Sequence, residues 1–395
     1  MARDTDVDLV SDALSGKKIL LGVTGGIAAT ESIRILRELR RHDAELSVIM
    51  TKSATRVITP LAVEWAAQAS VSTDWSAEMS QLAPSDGLLV CPATRNFMAK
   101  FVNGMMDNPL LMACSSARAR GTPIVIVPSM HNDLFDDPVT EELCQRAEEL
   151  GAIILWGPND EGRRKQPMPV QIVADLSHVV NRNDSSLNIA ITLGANRAPI
   201  DAVRAIQNAS SGSTGWSIAE YLHRKGHTVT CIAGKTSASP SFQLPNIVRA
   251  GAPDDMLAAC KLVADDFQHG WIFSAAVLDY YTEPEQGKKL SGQESWKLDL
   301  KPGPKHILEL EKMTKGAVRI GFKLESGVSV ELLHKRAQEQ IDRYGVDATI
   351  ANILEEIHDD ESPRGYIVTS SGIESIENQL QLCQLIEARI ISCLK

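Results

Sequence analysis

The chain has 395 residues, a length that predicts two or three domains. Hydrophobic residues make up 44% and charged residues 23%, as in soluble globular proteins, and the net charge of -10 disfavours a nucleic-acid partner. No apolar run is long enough to span a membrane, and the polar, acidic residues 1–16 are interpreted as a loose leader. Seven dispersed cysteines without metal-ligand spacing predict a cytoplasmic protein with reduced thiols and no protein-held metal.

Short Val, Ile and Leu runs alternate with helical stretches through the first half. Strands are predicted over residues 18–23, 46–50, 87–91, 123–127 and 153–156. Such alternation is typical of a parallel sheet with helices on both faces. The polar, turn-rich segment 177–186 predicts a domain boundary, so the first domain is expected over residues 17–180.

The alternation begins again at residue 187. Strands are predicted over residues 187–192, 227–234, 271–276, 318–322, 348–351 and 365–368. Helices are predicted over about 214–225 and 377–394. We therefore predict an α/β protein with two tandem doubly wound domains, the second over residues 187–395. Each should bind its ligand at the carboxyl ends of its strands.

Both domains open with a strand, a small-residue loop and a helix. In the first domain, Gly25 and Gly26 let the backbone approach an anion, Thr24 adds a hydroxyl, and the next helix begins with amides that favour negative charge. Ser53 adds another hydroxyl after the second strand, and the turn 92–96 offers amides and short polar side chains. Each is compatible with an ordinary α/β turn, but three at corresponding strand ends favour a site for a large planar ligand with one phosphate.

Motifs along the whole chain resemble those of one enzyme family. The segments GVTGGIAA, MTKSATRVITP, PATRNFMAKFVNGMMDN, PSMHNDLF and LWGP follow the order of flavoprotein cysteine decarboxylases. The second half continues with APIDAVRAIQNASSGSTG, SAAVLDYY, GKKLSG, GFKLES and ANILEE. From about residue 17 onward, the chain resembles the bifunctional coenzyme A enzymes that fuse phosphopantothenoylcysteine decarboxylase to phosphopantothenate–cysteine ligase.

For the first domain, the resemblance implies a flavodoxin-like fold that binds FMN. The FMN phosphate would lie on Gly25, Gly26 and Ile27. The other cofactor contacts would come from Thr24, Ser53, Thr94 and Asn96. Because the family builds this site between subunits of a trimer, a homo-oligomer through the first domain is expected.

The sequence departs from the family where the decarboxylase reaction needs side chains. Glu78 replaces a histidine, His131 replaces the asparagine that handles the substrate carboxylate, and the flap after Trp-Gly-Pro has no cysteine. The reaction oxidises the substrate thiol, releases CO2 and then needs an acid for the enethiol, for which no donor is evident. Two interpretations stay open. The domain either binds FMN or simply folds without this chemistry, or His131 and Glu78 act on another substrate.

For the second domain, the resemblance implies a two-step ligase. A carboxylate attacks the α-phosphate of a nucleotide, and an amine then displaces the nucleotide. Asn208 matches the asparagine that holds the acyl intermediate, Lys289 the lysine on the phosphates, and Asp279 an aspartate near the nucleotide. Arg204 follows the family spacing, and Lys288 lies one place from the matching lysine. Further contacts are expected from Gly194, Ser211, Gly212, Ala275 and Phe322.

Departures in the second domain concern the nucleotide. Ala195 replaces a glycine and would alter a place where backbone and ligand meet closely, and Ser213 replaces a lysine. Two lysines of bacterial members read Gln340 and Tyr344, and GFKLES is more similar to eukaryotic ligases. The nucleotide therefore stays open between CTP and ATP, with Mg²⁺ as its expected companion.

Two hypotheses of different class follow. In one, the chain is a ligase for phosphopantothenate and cysteine, or for another acid and amine in a different pathway. In the other, it is a flavin-binding or oligomer-forming protein whose sites do not turn over in the family's way. Asn208, Asp279 and Lys289 favour the ligase, whereas Ala195 and Ser213 keep the second hypothesis open.

Overall fold

The computed structural model describes residues 4–160, 163, 164, 166–282, 295–357, 359 and 362–394. The chain divides into two compact units, Met1–Arg182 and Asn183–Lys395. Each unit is built on one large sheet with helices. Within the described ranges, no helix combines the length and the apolar character that a bilayer crossing requires.

The first unit contains a six-stranded parallel sheet with the order β3-β2-β1-β4-β5-β6. Its strands, including a short separate hairpin of β7 and β8, are β1 (Lys18–Val23), β2 (Glu45–Met50), β3 (Val71–Ser72), β4 (Gly87–Ala93), β5 (Ile124–Pro128), β6 (Ala152–Ile154), β7 (Asn159–Asp160) and β8 (Arg163–Arg164). Its helices are α1 (Ser32–Arg41), α2 (Pro60–Ala67), α3 (Arg95–Val102), α4 (Pro109–Ala119), α5 (Asn132–Phe135), α6 (Pro138–Glu149) and α7 (Pro169–Asn181). Without the two-residue β3, the strand order is the flavodoxin-like one, and it reverses between β1 and β4.

Strand β1 shows why this sheet is covered on both faces. Ile19, Leu21 and Val23 pack into one buried cluster, whereas Leu20 packs into another. Successive side chains of a strand point to opposite faces, so a continuous apolar run fits a strand buried on both sides. Gly22 lets α4 approach closely, because a Cβ there would lie 2.3 Å from Leu110 Cδ1.

The expectation of a loose leader is wrong, since Arg37 and Arg40 of α1 donate to backbone carbonyls of residues 4–6. The backbone amides of Val10 and Leu14 donate to the carbonyls of Arg41 and His42, at 2.8 and 2.9 Å, and the Leu14 side chain is fully buried. The segment therefore covers the end of α1. Its few apolar residues lie among acidic ones and are too few to show a period in the sequence.

The second unit contains an eight-stranded mixed sheet with the order β13-β12-β9-β14-β17-β18-β19-β20, which reverses between β9 and β14. Its strands, including the two-stranded pairs β10–β11 and β15–β16, are β9 (Asn188–Leu193), β10 (Arg197–Pro199), β11 (Ala205–Gln207), β12 (Thr228–Ala233), β13 (Asn246–Arg249), β14 (Gly270–Phe273), β15 (Tyr280–Tyr281), β16 (Lys301–Pro302), β17 (Val318–Glu325), β18 (Ala348–Ile353), β19 (Gly365–Thr369) and β20 (Gly372–Ile376). Its helices are α8 (Ser213–Arg224), α9 (Pro253–Ala264), α10 (His306–Glu309), α11 (Val330–Tyr344) and α12 (Gln379–Leu394).

The last two strands of this sheet run antiparallel to their neighbours. Strand β20 follows β19 after a tight turn at Ser370 and Ser371, and so short a connection joins only antiparallel strands. The apolar run 365–368 indicates a strand but not its direction, and β20 is half-exposed and polar, so the sequence did not predict it.

Candidate functional sites

A cavity of about 250 Å³ lies at the carboxyl ends of β1, β2 and β4 in the first unit. This is the point where the strand order reverses and where doubly wound sheets bind their ligands. Four of the predicted cofactor residues line this cavity: Thr24, Ser53, Thr94 and Asn96.

Gly25 and Gly26 differ in the space around them. A Cβ at Gly25 would lie 2.4 Å from the Cβ of Ser53 and 2.8 Å from its carbonyl carbon, so any larger residue forces the backbone apart. A Cβ at Gly26 would meet nothing closer than Thr94 Cγ2, at 3.6 Å. The close approach of the first two strand ends therefore depends on Gly25.

Thr24 has a structural role that the sequence does not reveal. Its hydroxyl donates to the Pro92 carbonyl at 2.8 Å and accepts from the Thr94 amide at 3.0 Å, and the residue is 2% exposed. Its one proton is thus used within the protein, while the residue lines the cavity, so its contact with the cofactor stays a prediction. The bridge fixes the turn after β4 against the end of β1.

Ile27 starts a short 3-10 helix, Ile27–Glu31, that leads into α1. Its side chain is 81% exposed. Amides in the first turn of a helix have no partner within the helix, so this residue offers its backbone rather than its side chain to an anion.

Charged residues on the cavity wall are paired with one another. Lys100 donates to Asp107, and Lys52 lies 3.1 Å from Asp74. The Lys100 ammonium holds the pKa of Asp107 below its usual value, although burial opposes this. Trp75 also lines the cavity with a half-exposed ring. The sequence pattern does not indicate this residue, because a single aromatic residue in a loop belongs to no motif or period.

Glu78 and His131 do not line this cavity. Glu78 is exposed, and its amide donates to Ser76 Oγ at 3.2 Å. His131 caps α5: its Nδ1 accepts from the Asp133 amide at 3.4 Å and lies 3.3 Å from the Asp133 carboxylate, with 63% of the side chain exposed. Both predicted catalytic side chains thus lie on the surface of this unit.

No cysteine thiol is free to act as an acid in this cavity. None of the seven cysteines forms a disulfide, six of them are buried, and none lines this cavity. Cys91 lies on β4 directly before Pro92, where burial raises the pKa of its thiol far above the usual value. A thiol so reluctant to ionise is a poor proton donor.

The second unit has a larger cavity, of about 500 Å³, between the carboxyl ends of β14 and β17 and the helices α10 and α11. The predicted nucleotide residues Ala275, Asp279 and Phe322 line it together. Sequence motifs far apart in the chain therefore converge on one cavity.

Four cations line this cavity, and three of them are paired. Lys305 Nζ lies 2.5 Å from Asp279 Oδ1, and Glu325 binds both Lys323, at 3.0 Å, and Arg336. Burial opposes ionisation of Glu325, but the two cations keep its pKa below the usual value. Within the described ranges, Arg343 makes no ion pair, so it is the wall cation most available to a ligand phosphate.

Gln340 occupies one position where the family places a lysine. Its Nε2 donates to the Phe322 carbonyl at 3.4 Å, and a Cβ at Gly321 would lie 2.7 Å from that nitrogen. The amide therefore packs against the backbone beside the cavity instead of offering a charge.

Two buried basic residues support the cavity wall. Arg319 donates to the carbonyls of Tyr344, at 2.7 Å, and Ile307, and so joins the ends of α10 and α11. His306 is 4% exposed, and burial lowers its pKa, which keeps the imidazole neutral near pH 7. Neither role is visible in the sequence pattern, since both depend on burial.

Asn208 lies beside the switch point of the second sheet. Its Nδ2 donates to the Ala276 carbonyl at 3.0 Å, and the Ala276 amide donates to the Gly194 carbonyl at 2.8 Å. Gly194 and Gly212 both have left-handed φ angles of 79°, and a Cβ on either would lie within 2.7 Å of Thr236. These bonds and contacts bring together the ends of β9 and β14, the loop after β12 and the start of α8, where Ser211 lies.

Ala195 was expected to alter a surface that faces the ligand, but the residue lies inside the unit. The residue is fully buried, and its amide and carbonyl both bond to the backbone of Lys235, at 2.9 and 2.8 Å. Its added Cβ is therefore packed inside the unit. The predicted phosphate lysine Lys289 and its neighbour Lys288 lie outside the described residues.

Arg204 is held by two neighbours. Its Nε donates to Asp201 Oδ2 at 2.8 Å, its Nη2 donates to the same oxygen, and its guanidinium carbon lies 4.4 Å from the ring centre of Trp296. The amides of Val203 and Arg204 donate to the other oxygen of Asp201. The Arg204 guanidinium and these amides lower the pKa of Asp201 to about 2.

Both units match known protein families. The family described as "Flavoprotein" matches residues 8–181, and the "DNA/pantothenate metabolism flavoprotein C-terminal domain" matches residues 185–385. A coenzyme A biosynthesis bifunctional protein CoaBC from Thermococcus kodakarensis is 34% identical over 368 residues, 89% of each chain. The chain belongs to the family of bifunctional coenzyme A biosynthesis proteins.

A second member of this family is similarly close over nearly the whole chain, and a solved structure is similar over about half of it. The CoaBC protein of Methanocaldococcus jannaschii is 31% identical and covers 93% of this chain and 91% of its own. The crystal structure of the DNA/pantothenate metabolism flavoprotein from Streptococcus pneumoniae covers 53% of this chain and all of its own, with 25% identity and a TM-score of 0.48. The predicted resemblance and the fold class of two α/β domains are confirmed.

Proposed function

We propose that the second unit is a nucleotide-dependent phosphopantothenate–cysteine ligase and that the first binds FMN without the family's decarboxylase chemistry. One observation carries the ligase proposal: Asn208, bonded to the Ala276 carbonyl, adjoins a cavity of about 500 Å³ in which Ala275, Asp279 and Phe322 meet. Asn208 is thus connected to the cavity wall through Ala276 and the adjacent Ala275, which lines the cavity.

The ligase reaction makes clear demands on this site. The carboxylate oxygen of the acid attacks the α-phosphorus of the nucleotide, and pyrophosphate leaves with the electrons of the broken P–O bond. The amine of cysteine then attacks the acyl carbon and releases the nucleoside monophosphate. Cations must neutralise the phosphates in the first step, and Arg343 of the cavity wall and Lys289 would supply them. Mg²⁺ would enter with the triphosphate rather than through a protein-held site.

Either CTP or ATP is proposed as the nucleotide. The cavity volume of about 500 Å³ suits a ligand of this size. The exchange of two family lysines for Gln340 and Tyr344 removes charge from α11, while Arg343 on the same helix retains one.

The cavity of the first unit has the features of an FMN-binding site. Ser53, Thr94 and Asn96 line the cavity at the switch point, and Gly25 provides the close approach that a Cβ would block. FMN would supply the oxidation of a substrate thiol. The enethiol left after loss of CO2 must then be protonated. Neither Glu78 nor Cys91 is placed to donate that proton, because Glu78 is exposed on the surface and Cys91 is buried.

A homo-oligomer through the first unit is also proposed. The apolar residues of α4 are not available for such an interface. Leu110, Leu111 and Cys114 of that helix are buried in the unit's own core. The exposed Met105 and Met106 offer an apolar surface instead. Light scattering at micromolar concentration should give a mass above that of one chain, and a monomeric mass would contradict this.

A pyrophosphate-release assay tests the ligase proposal. With phosphopantothenate, cysteine and Mg²⁺, release should require either CTP or ATP and should stop when the acid is omitted. Release with other acids and amines, but not with phosphopantothenate and cysteine, would show that the ligase has a different substrate specificity. No release with any nucleotide and acid would leave a flavin-binding protein, whose yellow colour would report bound FMN.

A further inference from the structure

We infer that Trp296 is a positioning residue that holds the Arg204 guanidinium as a preformed contact for an anionic group of the acid substrate. The inference rests on the proposed ligase function, because that function supplies a phosphorylated acid as ligand. No sequence motif includes Trp296, which lies before β16, far along the chain from the β10–β11 pair that carries Arg204.

The contacts leave the guanidinium with little freedom. Asp201 Oδ2 accepts from Nε and Nη2, and Asp201 Oδ1 is itself fixed by the amides of Val203 and Arg204, at 2.9 and 2.8 Å. One edge of the guanidinium is therefore bound to a carboxylate that cannot turn. Trp296 covers a face of the guanidinium at 4.4 Å, a distance at which cation–π attraction is strong.

The opposite edge of the guanidinium is open. Within the described ranges, Nη1 makes no hydrogen bond, and 36% of the Arg204 side chain is exposed. Arginine normally loses rotamer freedom when it binds an anion. Here Asp201 and Trp296 have already restricted it, so a phosphate that approaches Nη1 meets an N–H group of fixed direction.

Position in the chain relates Arg204 to the acid. Arg204 directly precedes β11, and β11 leads directly into Asn208, which the resemblance assigns to the acyl intermediate. Asp201 and Trp296 thus stabilise the arginine at one end of this strand, while the Ala276 carbonyl fixes the asparagine at the other.

Calorimetric titration with phosphopantothenate, without nucleotide, tests this inference. Trp296→Ala and Trp296→Leu should weaken binding about 3- to 10-fold, whereas Trp296→Phe, which keeps an aromatic face, should stay within about 2-fold of the wild type. Binding of pantothenate, which lacks the phosphate, and of the nucleotide should not change. Leu298→Ala, at a partly exposed neighbour in the same segment, is the matched control.

The inference is overturned if Trp296→Leu binds phosphopantothenate as Trp296→Phe does, or if pantothenate and nucleotide binding weaken equally. Absent phosphopantothenate binding in the wild type also overturns it. The Leu and Phe variants decide the matter even if Trp296→Ala does not fold. Calorimetry needs no turnover, so the two proposals can fail separately. If all Trp296 variants bind phosphopantothenate equally well and pyrophosphate release is normal, this inference fails and the ligase proposal stands. If the variants show the expected order of affinities but the protein releases no pyrophosphate, the ligase proposal fails instead.

Discussion

Both units place a cavity at the carboxyl ends of central strands of their sheets, but their predicted catalytic residues lie in different surroundings. In the first unit, the residues that form the cavity fit a ligand, but Glu78 and His131 lie on the surface. In the second unit, Asn208 is held beside the cavity by a bond to Ala276. On the function proposed above, a binding site made of backbone and close packing is retained in the first unit, while single side chains for proton transfer differ.

Charge separates the two cavities as well. Both lysines of the first cavity, Lys52 and Lys100, are paired with carboxylates on its wall. The second cavity retains Arg343, which makes no ion pair within the described ranges. The second unit is thus better prepared for a triphosphate, whereas the first suits a ligand whose single phosphate is bound by amides and hydroxyls.

The largest effect is expected at Lys289. Lys289→Gln should slow pyrophosphate release by roughly 10²–10³-fold, because a well-placed cation is lost where phosphate charge develops. Initial rates of pyrophosphate release measure this. Lys288→Gln is the matched control and should stay close to the wild type. If both variants are equally active with every nucleotide, this loop does not contact the phosphates.

A smaller, selective effect is expected at Asn208. Asn208→Asp places a carboxylate beside the phosphate of the acyl-nucleotidylate, so amide formation should fall more than nucleotide affinity. Single-turnover amide formation and nucleotide titration separate the two. Asn246→Asp, at an exposed residue of β13, is the control. Equal losses in both measurements would show that Asn208 does not act on the intermediate.

In the first unit, the glycine pair gives a matched test. Gly25→Ala should weaken FMN binding roughly tenfold or more, because its Cβ would overlap Ser53 at 2.4 Å and push the strand ends apart. Gly26→Ala meets nothing within 3.6 Å and should stay within about 2-fold. Flavin absorbance after dialysis measures both. Equal FMN retention would mean that Gly25 does not shape the site.

The smallest effect concerns acid sensitivity. Burial lowers the pKa of His306, so the unfolded chain takes up its proton more readily than the folded one. Keeping His306 neutral in the folded state therefore costs no stability above its unfolded-state pKa of about 6.5. As the pH falls from 6.5 toward the folded-state pKa, the free energy of unfolding decreases. His306→Gln should therefore lose less Tm between pH 7.5 and 5.5 than the wild type. His334→Gln is the control, and identical pH profiles for all three would contradict the role.

The sequence predicted elements well where the pattern is local. The apolar run of β1 and the small-residue turn at Gly25 mark a strand end and a ligand approach without any knowledge of distant contacts. The missed features are long-range: Trp296 matters only because folding brings it to Arg204, and Arg319 only because two helix ends meet on it. Thr24 is a further example, since the motif indicates a hydroxyl but not its long-range bond to the Pro92 carbonyl.

Identification of the product by mass spectrometry tests the central contrast between the units most directly. The FMN-loaded protein would be incubated with phosphopantothenate, cysteine, Mg²⁺ and CTP or ATP. We predict that phosphopantothenoylcysteine accumulates with its carboxyl group intact. On the function proposed above, the second unit joins acid and amine, and among the described residues of the first unit, Glu78, Cys91 and His131 do not line the cavity as proton donors. Conversion to phosphopantetheine with release of CO2, or the absence of any amide product, would contradict the account.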